Sequence, residues 1–180
     1  STYILPRAKR KGIVINVSAM RLFYFDKKKK RIYTYPVGVG RPGWHSPTGL
    51  MTVIQKRYKP TWFIPQSVRR DYKKDGTHLP RYIRRGKNNP LGKYALRLSR
   101  PSYLIHGTNR QAGVGRRTTA GCFSMYDLDI KQLYFKIKKG TRVNIVKQKQ
   151  LVGVDQHGRV WLENQDFSKL LPEDKKHHGS

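Results

Sequence analysis

Tyr103-Leu104-Ile105-His106-Gly107-Thr108 is a short β-forming run that ends on a histidine and a glycine, and beyond it stands Thr118-Thr119-Ala120-Gly121-Cys122, which holds the chain's one cysteine. The first run predicts a strand that delivers His106 at its end, a position from which side chains commonly do chemistry. A free thiol near its ordinary pKa of about 8.5 is only a few per cent ionised at neutral pH, and an adjacent imidazole can deprotonate it or hold it as an ion pair. Cys122 and His106 are therefore the candidate nucleophile and base. Gly107 and Gly121, each next to one of them, leave backbone amides and carbonyls open to hold an oxyanion or orient an imidazole. A lone cysteine is in general more often a small buried core residue, and here the flanking residues weigh the other way.

Outward from this pair the chain is rich in strands. Gly12 to Val17 and Arg21 to Phe25 are β-branched and aromatic runs joined by Ser18-Ala19-Met20, which predicts a hairpin, with Lys27 to Arg31 as its exposed next turn. Further strands are expected over Ile32–Val39, Leu50–Lys56, Tyr94–Leu98 and Arg142–Val146, with a Gly/Pro-rich loop from Gly40 to Gly49. Tyr58 to Pro90 has little periodicity, four prolines and many charges, and reads as a partly helical flap. Asp127 is placed to cap a short helix whose apolar face is Leu128, Ile130, Leu133 and Tyr134. Leu151–Val154 and Arg159–Leu162 flank Asp155-Gln156-His157-Gly158 as a terminal hairpin. The expected fold class is mostly β (β-rich α+β), with one or two short helices and a long flap.

With 37% hydrophobic and 11% aromatic residues in 180, the chain has apolar material for one domain with a real core. The 39 Lys and Arg against 10 Asp and Glu give a net charge of +29, which makes polyanions the expected partners. The basic residues are spread along the whole chain, so nucleic acid, anionic wall polymers and acidic lipid head groups all stay open. No run approaches the roughly 20 apolar residues of a membrane helix, and no signal peptide opens the chain. Ser1-Thr2-Tyr3 lacks an initiator methionine, so an upstream signal or domain is expected to have been removed. One cysteine excludes an internal disulfide and a multi-cysteine metal site. Neither metal-ligand spacing nor a phosphate-cradling glycine pattern occurs, so no metal and no cofactor are expected. His45, His78 and His157 read as structural or surface residues, and Lys175 to Ser180 as part of a basic tail or tag remnant.

His106-Gly107-Thr108 with Thr119-Ala120-Gly121-Cys122 resembles the L,D-transpeptidase catalytic domain, the YkuD-type fold, whose signature is a His-Gly-Thr-type strand end followed by Ser/Thr-His-Gly-Cys. Pro36 to Trp44, Ser46-Pro47-Thr48-Gly49, Asn89-Pro90-Leu91-Gly92 and Gly140-Thr141-Arg142-Val143 also look like segments of that family, so roughly Ile13 to Val146 is covered. The resemblance implies a mixed β-sandwich of the L,D-transpeptidase type. It divides the chain into an N-terminal extension (1–11), a catalytic domain (12–148), a C-terminal β-hairpin packed on it (149–168) and the tail (169–180). It also implies a bacterial cell-wall enzyme, in the periplasm or cell wall, that acts on peptidoglycan stem peptides and is a target of carbapenems. The cysteine of that family attacks the third residue's carbonyl, expels D-Ala and forms a thioester, which an amine acceptor resolves. Carried over, Cys122 is the nucleophile and His106 the base. The Gly107 carbonyl orients His106, and the Gly121 and Cys122 amides form the oxyanion hole. Thr119, Thr108, Arg116, Arg117 and Trp62 are the expected substrate contacts, and Arg69, Arg70, Arg84 and Arg85 are expected to attract an anionic glycan-peptide network.

Two positions depart from the family pattern. Ala120 stands where the family usually has histidine, and Ser124 where it usually has arginine. Arg116 and Arg117, in the same loop, are candidates to replace that charge. Beside the enzyme stand a catalytically silent wall-binding module of the same fold and, from the charge and the interleaved Tyr82, Tyr94 and Tyr103, a nucleic-acid-binding protein. Water in place of the amine would give L,D-carboxypeptidase action.

Overall fold

β-Branched and aromatic residues alternate through the first part of the chain, and there the backbone forms a meander of β1 (Gly12–Asn16), β2 (Arg21–Asp26) and β3 (Arg31–Pro36). The computed structural model describes residues 3–149, 152–154, 157, 160–162 and 165–166. A short β4 (Val39–Gly40) leads through the Gly/Pro-rich loop to the long β5 (Gly49–Tyr58). Next comes the flap, made of β6 (Trp62–Phe63), α1 (Gln66–Lys74) and β7 (Tyr82–Ile83), with β6 and β7 paired antiparallel. β8 (Tyr94–Leu98) and β9 (Leu104–His106) return the chain to the main sheet. β10 (Arg117–Thr119), β11 (Phe123–Ser124), α2 (Asp127–Lys136) and β12 (Arg142–Val146) follow.

Eight strands form one mixed sheet in the order β11-β9-β8-β5-β12-β1-β2-β3. The sandwich expected from the sequence is this one sheet curled around a core to which β1, β2, β5, β8, β9, β12 and α2 all contribute. Ile13 and Ile15 point into that core, whereas Val14, between them, joins Phe23 and Phe25 on the outer face. Leu5 and Ala8 cover that outer face, so β1 is buried on both sides.

β3 and β11 are the two edges of the sheet, and the chain just past β3 reaches β11. The strand expected over Ile32–Val39 stops at Pro36, whose ring nitrogen has no hydrogen to offer the ladder. The chain then crosses to the far edge, where Gly38 exchanges backbone hydrogen bonds with Ser124, at 2.8 Å (Gly38 N to Ser124 O) and 3.1 Å (Ser124 N to Gly38 O). Only glycine fits at this closure. A Cβ on Gly38 would sit 2.2 Å from Ser124 Oγ and 2.7 Å from the Gly113 carbonyl oxygen. β10 pairs with β4 beside it.

The flap is tied at its base by Asn89, which is fully buried. Its Nδ2 donates to the carbonyls of Pro60 (2.8 Å), Ile83 (3.3 Å) and Arg84 (3.3 Å), and its Oδ1 accepts from the Leu91 amide at 2.9 Å. At the other end, Arg41 binds Asp71 of α1 at 3.1 Å. The expected α2 is present, but its N-cap is Tyr126 and no side chain caps it. Asp127, expected to be the cap, is its first helical residue. Ile130 and Leu133 are buried as expected and Tyr134 packs at the core's edge, but Leu128 is 76% exposed.

β13 (Val152–Val154) and β14 (Val160–Leu162) pair as the expected terminal hairpin, and β15 (Gln165–Asp166) adds a third strand. How that hairpin packs, and the tail at 169–180, lie outside the described residues.

The closure predicts opposite outcomes for its two partners. Gly38→Ala is expected to lower stability by ~1–3 kcal/mol, because the added methyl has no space. Ser124→Ala is expected to be neutral or to raise stability by up to ~1 kcal/mol, since the Ser124 hydroxyl is buried with no hydrogen-bond partner. Denaturant unfolding of both variants checks this.

Candidate active site

His106 is the last residue of β9, and β9 lies between β8 and β11. Ala95 is level with it on one side and Ser124 on the other. Its carbonyl accepts from the Met125 amide at 2.8 Å, so the strand end is fixed as firmly as a strand interior. The residue is 7% exposed. Its Nδ1 hydrogen-bonds the Gly107 carbonyl. Because a carbonyl can only accept, Nδ1 carries the proton and Nε2 keeps a free lone pair.

Cys122 stands one residue before β11 and is half-buried. The parallel register pairs Phe123 with Ile105, which sets Cys122 level with Leu104, two residues before His106. Side chains alternate along a strand, so continuation of this register through Cys122 would set its side chain on the same face as that of His106. The thiol donates to the Ser102 carbonyl at 3.4 Å. Burial pushes it up to about 11, against the pull of a hydrogen bond from the Leu104 backbone. Burial lowers His106 to about 4, partly offset by its bond to Gly107. At neutral pH the pair is thus an uncharged thiol and an uncharged imidazole.

Gly121 turns the chain before the cysteine with φ +108°, a conformation glycine adopts at little cost. A Cβ there would also lie 3.1 Å from the Tyr103 ring. Thr119 holds the turn: its Oγ1 donates to the Cys122 carbonyl at 2.6 Å and accepts from the Gly121 amide at 3.2 Å. The Gly121 amide is therefore engaged within the loop. The Thr119 carbonyl accepts from the Arg41 amide at 2.8 Å, which ties this loop to the Gly/Pro-rich segment.

Asp127 is the residue whose role the sequence hid. Its Oδ1 accepts from the Thr108 amide at 3.3 Å. That amide belongs to the same peptide unit as the Gly107 carbonyl that receives the His106 proton. Asp127, the 107–108 peptide and His106 thus form one chain of hydrogen bonds, in which a carboxylate at one end strengthens the carbonyl's hold on Nδ1 at the other. No spacing rule could reveal this, because the link runs through a backbone unit.

The other expected contacts are scattered. The Thr108 hydroxyl is used within its own loop, accepting from the Arg110 amide at 2.9 Å. Arg116 is exposed, and its carbonyl accepts from Val39. Arg117 opens β10; its side chain lies outside the described residues. Trp62 is half-buried in the flap hairpin, opposite Ile83. Of the flap arginines, Arg84 and Arg85 line a cleft, whereas Arg69 turns back to the Ile64 carbonyl at 3.4 Å.

Residues 10–145 match the family described as YkuD: L,D-transpeptidase catalytic domain. The chain is 38% identical over 176 residues to the probable L,D-transpeptidase YcfS of Escherichia coli K12, covering 95% of this chain and 55% of YcfS. It is also 38% identical over 161 residues to the probable L,D-transpeptidase ErfK/SrfK of the same organism, covering 89% of this chain and 52% of that protein. The fold is shared with the Ldtfm–avibactam carbamoyl enzyme at a TM-score of 0.60 and 17% identity, over 79% of this chain and 51% of that one. This chain belongs to the L,D-transpeptidase catalytic-domain family, and it spans about half the length of these curated relatives.

The two shifted groups give pH signatures of known sign. The unfolded chain protonates His106 near pH 6.5 and the native state only near 4, so native stability is expected to fall as pH drops through that window. Iodoacetamide should alkylate Cys122 slowly at pH 7.5 and faster by roughly tenfold per pH unit up to about pH 11. A rate already level at pH 8 would show an ion pair instead.

Proposed function

We propose that this chain is a cysteine-dependent L,D-transpeptidase acting on peptidoglycan stem peptides. The reading is supported by the register that sets β11, just past Cys122, beside the strand that ends on His106, whose Nδ1 is tied to Gly107. The Cys122 sulfur attacks the carbonyl carbon of the stem's third residue while its proton passes to His106 Nε2. The Cys122 amide holds the developing oxyanion; the Gly121 amide joins it by giving up its bond to Thr119. Collapse of the intermediate breaks the peptide bond, and His106 returns the proton to the departing D-Ala amine, leaving a thioester on Cys122. An acceptor amine then adds, loses its proton to His106 and expels the sulfur, which recovers the proton.

Asp127 acts through the 107–108 peptide as a positioning residue that favours the imidazolium formed in each step. Thr119 and Thr108 shape the two loops that flank the substrate, and Trp62, Arg116 and Arg117 bind it. On this reading the protein works in the periplasm or cell wall, and water as acceptor gives L,D-carboxypeptidase action as a side activity.

Incubation with a carbapenem, whose strained lactam carbonyl mimics the scissile amide, is expected to add one inhibitor mass to the wild type and none to Cys122→Ala by intact mass spectrometry. No adduct on folded wild type would leave a silent wall-binding module, the reading favoured by Ala120 and Ser124. Asp127→Asn keeps the hydrogen bond but removes the charge; acylation should slow roughly fivefold, the equivalent of ~1 kcal/mol, and melting should change little. An unchanged rate would confine Asp127 to a structural part.

A further inference from the structure

A cleft of about 680 Å³ opens beside the flap base and is lined by Lys59, Arg85, Lys87 and Lys93, with Asn89 and Thr108 among its other walls. Lys59 and Arg85 are shared with a second hollow of about 440 Å³, so the two form one groove. All four cations are exposed, and the Arg41–Asp71 ion pair involves none of them. The single acid in the cleft wall, Asp127, already accepts from Thr108. Four cations against one acid leave the groove with an excess of positive charge, which favours an anion in it.

Exposed aromatic rings lie beside the charge. Phe63 and Tyr82, 65% and 45% exposed, lie 6.1 Å apart and line the second hollow. Tyr58 is 56% exposed, with its ring 5.2 Å from Tyr94 and 5.3 Å from the Lys59 ammonium, and the Lys59 amide donates to the Lys93 carbonyl at 2.6 Å. Exposed ring faces pack against the C–H faces of sugars, and the cations between them suit carboxylates carried on the same polymer.

The groove is also coupled to the reacting pair. Gly92, in its wall, lies so close to the strand end that an added Cβ would be 2.8 Å from the Thr108 nitrogen and 3.0 Å from the Gly107 carbonyl carbon. Whatever fills the groove lies against the peptide unit that holds His106.

We infer that this aromatic-and-basic groove is a docking site for an anionic glycan strand, which holds the polymer whose attached peptide reacts at Cys122. The inference rests on the transpeptidase reading and gives that site its second half. A nucleic acid would also answer to rings and cations, but it supplies no acyl group to the neighbouring Cys122–His106 pair.

The test is co-sedimentation of the whole chain with isolated peptidoglycan sacculi at about 150 mM salt, where long-range attraction between exposed charges is screened. Arg85→Gln/Lys87→Gln/Lys93→Gln is expected to weaken retention at least tenfold. Lys27→Gln/Lys28→Gln/Lys29→Gln, which removes equal charge from an exposed turn, should stay within twofold of wild type. Tyr58→Ala/Phe63→Ala should weaken retention severalfold, and more visibly as salt rises. The swap Arg85→Lys/Lys87→Arg/Lys93→Arg should retain binding, which separates loss of charge from loss of fold. Equal loss in both glutamine triples, or loss in neither, overturns the site. So does tighter binding of a single-stranded oligothymidylate than of sacculi at the same salt. Absence of a carbapenem adduct on wild type sinks the enzyme reading instead, and does so independently of retention.

Discussion

The hydrogen-bonded pair Gly38–Ser124 ties the segment that leaves the β3 edge of the eight-stranded sheet to β11 at its other edge. Without it β11, only two residues long, would be held in the sheet by β9 alone. Ser124 is level with His106 and two residues past Cys122, so what fastens this edge also fixes the proposed nucleophile against the proposed base. The close approach admits no side chain on Gly38. Serine at 124 is compatible with that contact because it is short, and this gives a physical setting for one of the two departures from the family pattern.

From this closure the site is built by backbone, with few side chains involved. The Met125 amide and the Ala95 and Ser124 pairings hold the strand end at His106. The 107–108 peptide links imidazole to carboxylate. Thr119 folds the cysteine loop on itself, and Asn89 gathers the two ends of the flap with a single side chain. Backbone positions relax less than long side chains, and preorganisation of this kind favours a fixed transition-state geometry over adaptable binding.

Much of this was legible in the sequence. The strands containing Ile13, Phe23, Leu96 and Ile105 follow from β-branched and aromatic runs, and the flap from prolines and missing periodicity. The strand end at His106 follows from a β run stopped by glycine. What escaped is non-local. Period-2 patterning could not show that the chain leaves the ladder after Pro36 to close the sheet, since Gly38 and Ser124 are far apart in sequence. Asp127 has the composition of a helix cap, but a tertiary partner, the Thr108 amide, claims its carboxylate. Leu128 fits a helical apolar face by spacing, yet it is exposed. The role of Asn89 was hidden because polar side chains in loops rarely announce that they are buried.

The resting protonation states bear on selectivity. A thiol pushed up to about 11 is a poor nucleophile toward any electrophile that merely collides with it, and an imidazole at about 4 does not ionise it in advance. On the proposed mechanism the proton moves to Nε2 only as sulfur meets a carbonyl held in line, so reactivity depends on a bound acyl group. The same burial that suppresses both charges at rest strengthens the field of the Cys122 amide and of the Asp127–peptide chain once charge develops. On that mechanism, burial of the site penalises the ion pair without substrate and stabilises it when an oxyanion is present to be solvated by the loop. The missing histidine at Ala120 is compatible with this arrangement, because the burden of orienting His106 falls on Gly107 and, through the peptide, on Asp127.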